Sequence, residues 1–355
     1  MDEVATSAEP LWVLLGSRHG DNQQLLAIAE SLGVRYRIVT LRFNAAAGLP
    51  PLLLGASRLS WRSDPPLAPP WPRAVLAAGR KTVPAARWIR RRSGGRTRLI
   101  HVNRPWAPLA WFDLVVGTPQ YGLPARPNVV VNLLPFLTPA VDTALPDSLR
   151  SSAAALPRPW TVVLVGGDSR PLVLDDASAA GLASLVEAQV RTHGGSAWVV
   201  ASPRTPVSAM DVIERGLDVP AHVVVRWGAA ENPYRALLGS ADRFVVTSDS
   251  ASMLAEALAS GRPVTPFALT VRPDWRWRLV AAWRAAAERA PSSPTGRCYA
   301  ALLDLGLLSS VRDASRLLRE LEAAGAFTAS GVALARVERE RAVTRDRIAA
   351  LIDGG

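Results

Sequence analysis

The densest run of chemically capable side chains in this 355-residue chain is Thr247-Ser248-Asp249-Ser250, continued by Ser252, Met253 and Glu256. It joins a short apolar run, Arg243–Thr247, to a segment of helical spacing, Ser252–Ser260, that Gly261 closes. Ser252 and Glu256 are four apart, so a helix sets both on one face near its N-terminus. Such a face offers hydroxyl and amide donors to phosphates, while its carboxylate accepts from a ribose diol. A capped helix is the simpler account, with Ser250 or Ser252 as cap and Glu256 in water. Capping needs one hydroxyl and four are present, so the excess points to a ligand. Ser248, Asp249, Ser250, Ser252, Met253 and Glu256 are the binding candidates.

Two glycine-rich corners offer further chemistry. Gly166-Gly167-Asp168-Ser169-Arg170 follows the apolar run Trp160–Val165. Its glycines and Ser169 suit a diphosphate, and Arg170 adds a charge-assisted bond. An ordinary strand-to-helix turn is the alternative. The other corner, Gly16-Ser17-Arg18-His19-Gly20-Asp21-Asn22-Gln23, is neither a Walker loop nor a dinucleotide fingerprint. Asp21 or Asn22 caps the following helix there, or else His19 or Asp21 is a polar group at a cleft mouth, in the role of general base. Asn232-Pro233-Tyr234 follows the strand-like His222–Trp227, on the same rim as the hydroxyl run. Arg226 and Tyr234 either frame a nucleobase or serve the scaffold.

The elements that must position these residues alternate along the chain. Leu11–Leu15, Arg35–Leu41, Ala74–Ala78, Leu99–Val102, Leu114–Val116 and Asn128–Val131 read as strands, Gln23–Ser31 as a helix, and the proline-rich Asn44–Pro72 as loop. After a proline-rich hinge at Leu156–Pro159 the pattern restarts. Strands at Trp160–Val165, Ala197–Ala201, His222–Trp227, Arg243–Thr247 and Pro263–Phe267 alternate with helices at Ala177–Arg191, Val207–Arg215, Pro233–Gly239 and Ser252–Ser260. This predicts an α/β fold of two Rossmann-like domains, 1–156 and 157–270, facing a cleft. Residues 271–355 form a helical tail, with an Arg/Ala-rich helix carrying Trp275, Trp277 and Trp283, and amphipathic segments at Ser310–Ala323 and Ala333–Ile352. Its helices are expected to pack, some of them back on the first domain.

Composition narrows the classes. Apolar residues make up 49% and charged residues 20%, which excludes general disorder. Cys298 is the only cysteine, and His19, His101, His193 and His222 lack ligand spacing, so no metal site is expected. The formal net charge of +11 is almost entirely arginine, Lys81 being the only lysine. Codon bias accounts for such a skew, as does a basic surface meeting phosphates or an anionic membrane. Met1–Pro10 carries Asp2, Glu3 and Glu9 and no long apolar stretch, unlike a secretory signal. No apolar run approaches the roughly 20 residues of a spanning helix. The expected location is cytoplasmic, or peripheral on the inner face of the cytoplasmic membrane.

These motifs together resemble the mitochondrial fission ELM (elongated mitochondria) family, found in plants and bacteria, and this chain is similar to its bacterial members. The resemblance rests on Gly20-Asp21-Asn22-Gln23, Gly79-Arg80-Lys81, Phe112–Val116, Asn128-Val129, Gly166-Gly167, Asn232-Pro233-Tyr234 and the long Val246–Val264 stretch, over residues 11–270. It implies a glycosyltransferase-B fold, with 1–156 as acceptor domain and 157–270 as donor domain. Glu256 would hold the ribose of a nucleotide-diphosphate sugar, the donor substrate, and His19 would be a candidate base. Gly166, Gly167, Ser169, Arg170, Arg226 and Tyr234 complete the implied nucleotide-sugar site. No cofactor, metal or nucleic acid is implied; the acceptor is not identified, and the likeness to enzymes acting on lipid-linked precursors makes a lipid-linked one the option to test. Thr118-Pro119-Gln120-Tyr121 departs from the family pattern, where an acidic or histidine-containing stretch is expected. The alternative is a non-catalytic scaffold, because plant members recruit a dynamin-related partner. The basic stretch Arg87, Trp88 and Arg90–Arg92 is either a membrane contact or a solvated helix face.

Overall fold

In a computed structural model the described residues are 10–137, 144–219, 221–228, 232–308, 313–328 and 332–354. The acidic N-terminal stretch up to residue 9, and residues 310–312 at the start of one expected helix, lie outside them. The chain divides into two compact units. The first comprises Met1–Thr138, Leu279–Asp313 and Val337–Gly355; the second comprises Pro139–Arg278 and Ala314–Arg336.

The first unit begins with β1 (Leu11–Leu15), α1 (His19–Ser31), β2 (Tyr36–Phe43), α2 (Pro51–Leu54), β3 (Trp61–Asp64), β4 (Ala74–Ala78) and α3 (Val83–Arg92). Then come β5 (Arg98–Val102), β6 (Leu114–Gly117) and β7 (Val129–Val131). The strands form one sheet in the order β3-β2-β1-β4-β5-β6-β7, parallel except for β3 against β2. Ala74–Ala78 is buried throughout, as a strand covered on both faces must be. The stretch expected as loop, 44–72, instead holds α2 and β3. Both are four residues long, too short to show a period, and Trp61 fixes β3 by burying its ring edge-on to Trp88 at 5.6 Å.

The second unit carries α4 (Asp147–Ala155), β8 (Trp160–Val165), β9 (Leu172–Val173), α5 (Asp176–His193), β10 (Ser196–Ala201), α6 (Val207–Gly216) and β11 (His222–Val225). It continues with α7 (Tyr234–Ser240), β12 (Arg243–Thr247), α8 (Ala251–Ala259), β13 (Val264–Phe267) and β14 (Thr270–Val271). Its main sheet is parallel, in the order β11-β10-β8-β12-β13, beside a small antiparallel β9–β14 pair. The C-terminal helices are α9 (Trp275–Arg289), α10 (Pro294–Asp304), α11 (Ala314–Ala323) and α12 (Val332–Asp353). Ile348 and Ile352 of α12 are buried in the first unit's core with Ile28 and Val102.

Each parallel sheet reverses its winding once, between β1 and β4 in the first unit and between β8 and β12 in the second. At such a point adjacent strands send their connections to opposite faces, which opens a crevice at their carboxyl ends. The polar motifs sit there.

Candidate functional site

In the second unit, β8 ends at Gly166-Gly167 and β12 at Thr247-Ser248-Asp249. The Gly166 amide donates to the Thr247 hydroxyl at 2.7 Å, and that hydroxyl donates to Asp249 Oδ1 at 2.7 Å. The Gly167 amide reaches Asp249 Oδ2 at 3.1 Å, and Arg204 pairs with the same oxygen at 2.8 Å. Asp249 has no exposed side-chain surface, whereas Arg204 is partly open. A Cβ on Gly166 would lie 2.1 Å from Asp249 Oδ1, and one on Gly167 2.0 Å from the Arg204 carbonyl oxygen. Both glycines are therefore required by their own neighbours.

The hydroxyl run is likewise largely spent inside. Ser248 is buried and accepts from the Leu269 amide at 3.1 Å, and Ser250 is the N-cap of α8, accepting from Met253 at 3.4 Å. The excess of hydroxyls over capping needs thus has an interior cause: Thr247 and Ser248 satisfy backbone amides where strands meet. Ser252 is half-buried on the first turn of α8 with no hydrogen-bond partner among the described residues, and Met253 beside it is half-buried too.

Glu256 and Tyr234, singled out separately in the sequence, meet. The Tyr234 phenol at the start of α7 donates to Glu256 Oε2. Burial, reinforced by the Glu256 charge and this bond, raises the Tyr234 pKa well above its ordinary value, so the phenol remains a donor at neutral pH. Arg226 goes elsewhere. It is only partly exposed, pairs with Asp211 at 2.8 Å and with Glu214 on α6, and those hydrogen bonds raise its pKa. Ser169 closes a tight turn, its amide donating to the Leu172 carbonyl at 3.0 Å, and Arg170 beside it is exposed.

In the first unit, α1 starts at His19, four residues before the expected Gln23, so the polar motif forms its first turn. Asn22 does not cap; its side chain accepts from the Gly16 amide at 2.9 Å and donates to the Gly16 carbonyl at 3.0 Å, clamping the corner after β1. His19 is exposed. Asp21 is half-buried over the end of β4, where a Cβ on Gly79 would lie 3.4 Å from Oδ2, and Oδ1 accepts from Asn103 at 3.0 Å. Asn103, directly after β5, has φ 64°, a left-handed conformation that asparagine tolerates better than most residues. Its carbonyl lies 3.1 Å from Nδ1 of the fully buried His101, and the Gly79 carbonyl lies 3.4 Å from Nε2. Burial, only partly offset by these two bonds, pushes the His101 pKa down to about 4, so the ring is neutral at pH 7.

Among the described residues, no group of three or more His, Cys, Asp or Glu side chains could hold a metal ion. No helix among them is long and apolar enough to cross a membrane.

The family profile described as mitochondrial fission ELM1 matches residues 19–289, which includes the Asp21 corner, Glu256 and Tyr234. The chain belongs to the mitochondrial fission ELM1 family. This ELM1-family chain is 27% identical over 309 residues to mitochondrial fission protein ELM1 of Arabidopsis thaliana, covering 77% of this chain and 68% of that protein. It is 22% identical over 295 residues to protein RP120 of Rickettsia prowazekii, covering 72% of this chain and 82% of that one. Among solved structures it is similar to MurG of Acinetobacter baumannii, at 13% identity and a TM-score of 0.42, with 97% of this chain and 99% of that chain covered. The MnaA–UDP co-structure from S. aureus has 10% identity, a TM-score of 0.46 and coverage of 87% and 94%. The fold of the ELM1-family chain is α/β, with two Rossmann-like units and C-terminal helices.

Asn103 and Arg204 were not singled out in the sequence, and His101 was weighed there only as a metal ligand. Asn103 carried a usable signal, a short polar residue immediately after a predicted strand. Arg204 carried none, because only folding brings its loop beside Asp249.

Proposed function

We propose that this ELM1-family chain binds a nucleoside-diphosphate sugar on its second unit and transfers the sugar, without a metal, to a lipid-linked acceptor. The observation that carries this is Glu256, half-buried on α8 beside the sheet's switch point and oriented by the Tyr234 phenol. Open α/β sheets bind ligands at that place. A carboxylate accepts up to about four hydrogen bonds, the chemistry a ribose diol asks of its partner. With the amides of Gly166, Gly167 and Ser169 already bonded, the diphosphate falls to the first-turn amides of α8 and the Ser252 hydroxyl. Transfer would form a bond from the acceptor oxygen to the anomeric carbon as the bond to the diphosphate breaks. The diphosphate keeps the electron pair, and the acceptor proton passes to a base. His19 and Asp21 of the first unit are the candidates for that base. A lipid-linked acceptor would hold the chain at the cytoplasmic face of a membrane.

A thermal-shift panel of UDP, GDP, ADP, TDP and their sugars tests this. A ligand at about 100 times its Kd stabilises by about 2.7 kcal/mol, a readable rise in melting temperature. Glu256→Ala should abolish the rise and Tyr234→Phe should weaken it. A second reading, the non-catalytic scaffold, is favoured by one observation: the glycine turn and Asp249 are closed on each other rather than open to a ligand. No shift with any nucleotide would establish the scaffold instead.

A further inference from the structure

The first unit presents an apolar surface that its own fold does not require. The Asn44 side chain donates to the Leu59 carbonyl at 2.8 Å, closing residues 44–60 into a compact loop around α2. Ala47, Pro51 and Leu54 are buried and anchor it. Leu49, Leu52, Leu53 and Leu59 face outward, 46%, 41%, 74% and 63% exposed. A single exposed leucine is ordinary, but four in one short loop make a patch of the sort that marks an interaction surface.

The surroundings of the patch are cationic. The Arg58 guanidinium, within the loop, lies 5.4 Å from the Trp61 ring and 5.2 Å from the Trp88 ring. Arg80 donates to the Gly48 carbonyl at 3.2 Å, and Arg87 of α3 reaches within 4.0 Å of the Cβ position at Gly55. The Arg92 guanidinium lies 5.8 Å from the Trp88 ring. Neither residues 44–63 nor residues 79–97 contain an aspartate or glutamate. Burial, with a smaller contribution from the neighbouring Arg90 charge, lowers the Arg87 pKa.

We infer that this face docks on an anionic lipid bilayer, with the leucines entering the headgroup boundary and the arginines pairing with lipid phosphates. Exposed leucines beside arginines, on two stretches that contain no aspartate or glutamate, complement that surface. The inference holds whether or not the second unit binds a nucleotide sugar.

Vesicle co-sedimentation of the full chain tests it. Binding is expected to phosphatidylglycerol–phosphatidylcholine vesicles and not to pure phosphatidylcholine, and to weaken at least about tenfold between low and high salt. Leu52→Ser with Leu53→Ser, and separately Arg58→Gln with Arg92→Gln, should each weaken binding about tenfold or more. Equal binding to neutral vesicles, or no binding to anionic ones, overturns the inference for the unaltered protein even if a variant fails to fold. So does full binding by the folded leucine variant, or a leucine-dependent dimer that binds no vesicles.

Discussion

The two sheets reverse at equivalent places, and each holds an aspartate there, but the two carboxylates live differently. Asp249 in the second unit is wholly enclosed, held by Thr247, the Gly167 amide and Arg204. Asp21 in the first unit is half-buried, with Asn103 on one oxygen and the Gly79 backbone close to the other. A carboxylate held by a strand-end amide, a hydroxyl and an arginine works as a rivet between β8 and β12. One half-buried on the first turn of a helix, above a glycine, keeps a partly open surface. An aspartate near the switch point thus closes one sheet on itself, whereas in the other unit it stands on the first turn of a helix.

The largest effect should come from removing the rivet. Asp249→Ala strands the buried Gly167 amide and the Thr247 hydroxyl and leaves Arg204 without its carboxylate, which should cost about 3 kcal/mol or more in urea unfolding. A loss below about 1 kcal/mol would erase the contrast between the units. Next comes His101, beneath the first crevice. Its native pKa of about 4 lies below the ordinary 6.5, so as pH falls through that window the unfolded chain takes up a proton that the native chain refuses. Stability that is fully present above pH 6.5 should be lost towards pH 4, by up to about 3 kcal/mol. Unfolding at pH 7 and pH 4.5 should show that loss in the parent and a clearly smaller one in His101→Gln. The smallest effect belongs to Asp21→Asn, which keeps the shape and the acceptor oxygen that Asn103 uses, at about 1 kcal/mol or less. If it destabilises as much as Asp249→Ala, Asp21 is a rivet too and its candidacy as a base falls.

Much of this architecture was readable from residue order. Trp160–Val165 and Ala74–Ala78 are strands over the predicted residues, because parallel strands buried on both faces need unbroken apolar runs. Element ends were less readable. The α1 helix starts at His19 rather than Gln23, since its first turn is polar and hides the apolar period. Short pieces such as β3 and α2 are decided by what Trp61 and Leu54 pack against, which no local window contains.

The sequence alone determined the family, the two-unit α/β fold and the helix that carries Glu256, all of which follow from motif order and from periodicities that act over a few residues. Only the tertiary structure decided which hydroxyls and carboxylates were spent. A side chain's hydrogen-bond partners lie on strands far away in sequence, so Asp249 looks available in the chain and is enclosed in the fold. Glu256 and Tyr234, 22 residues apart, became one group for the same reason.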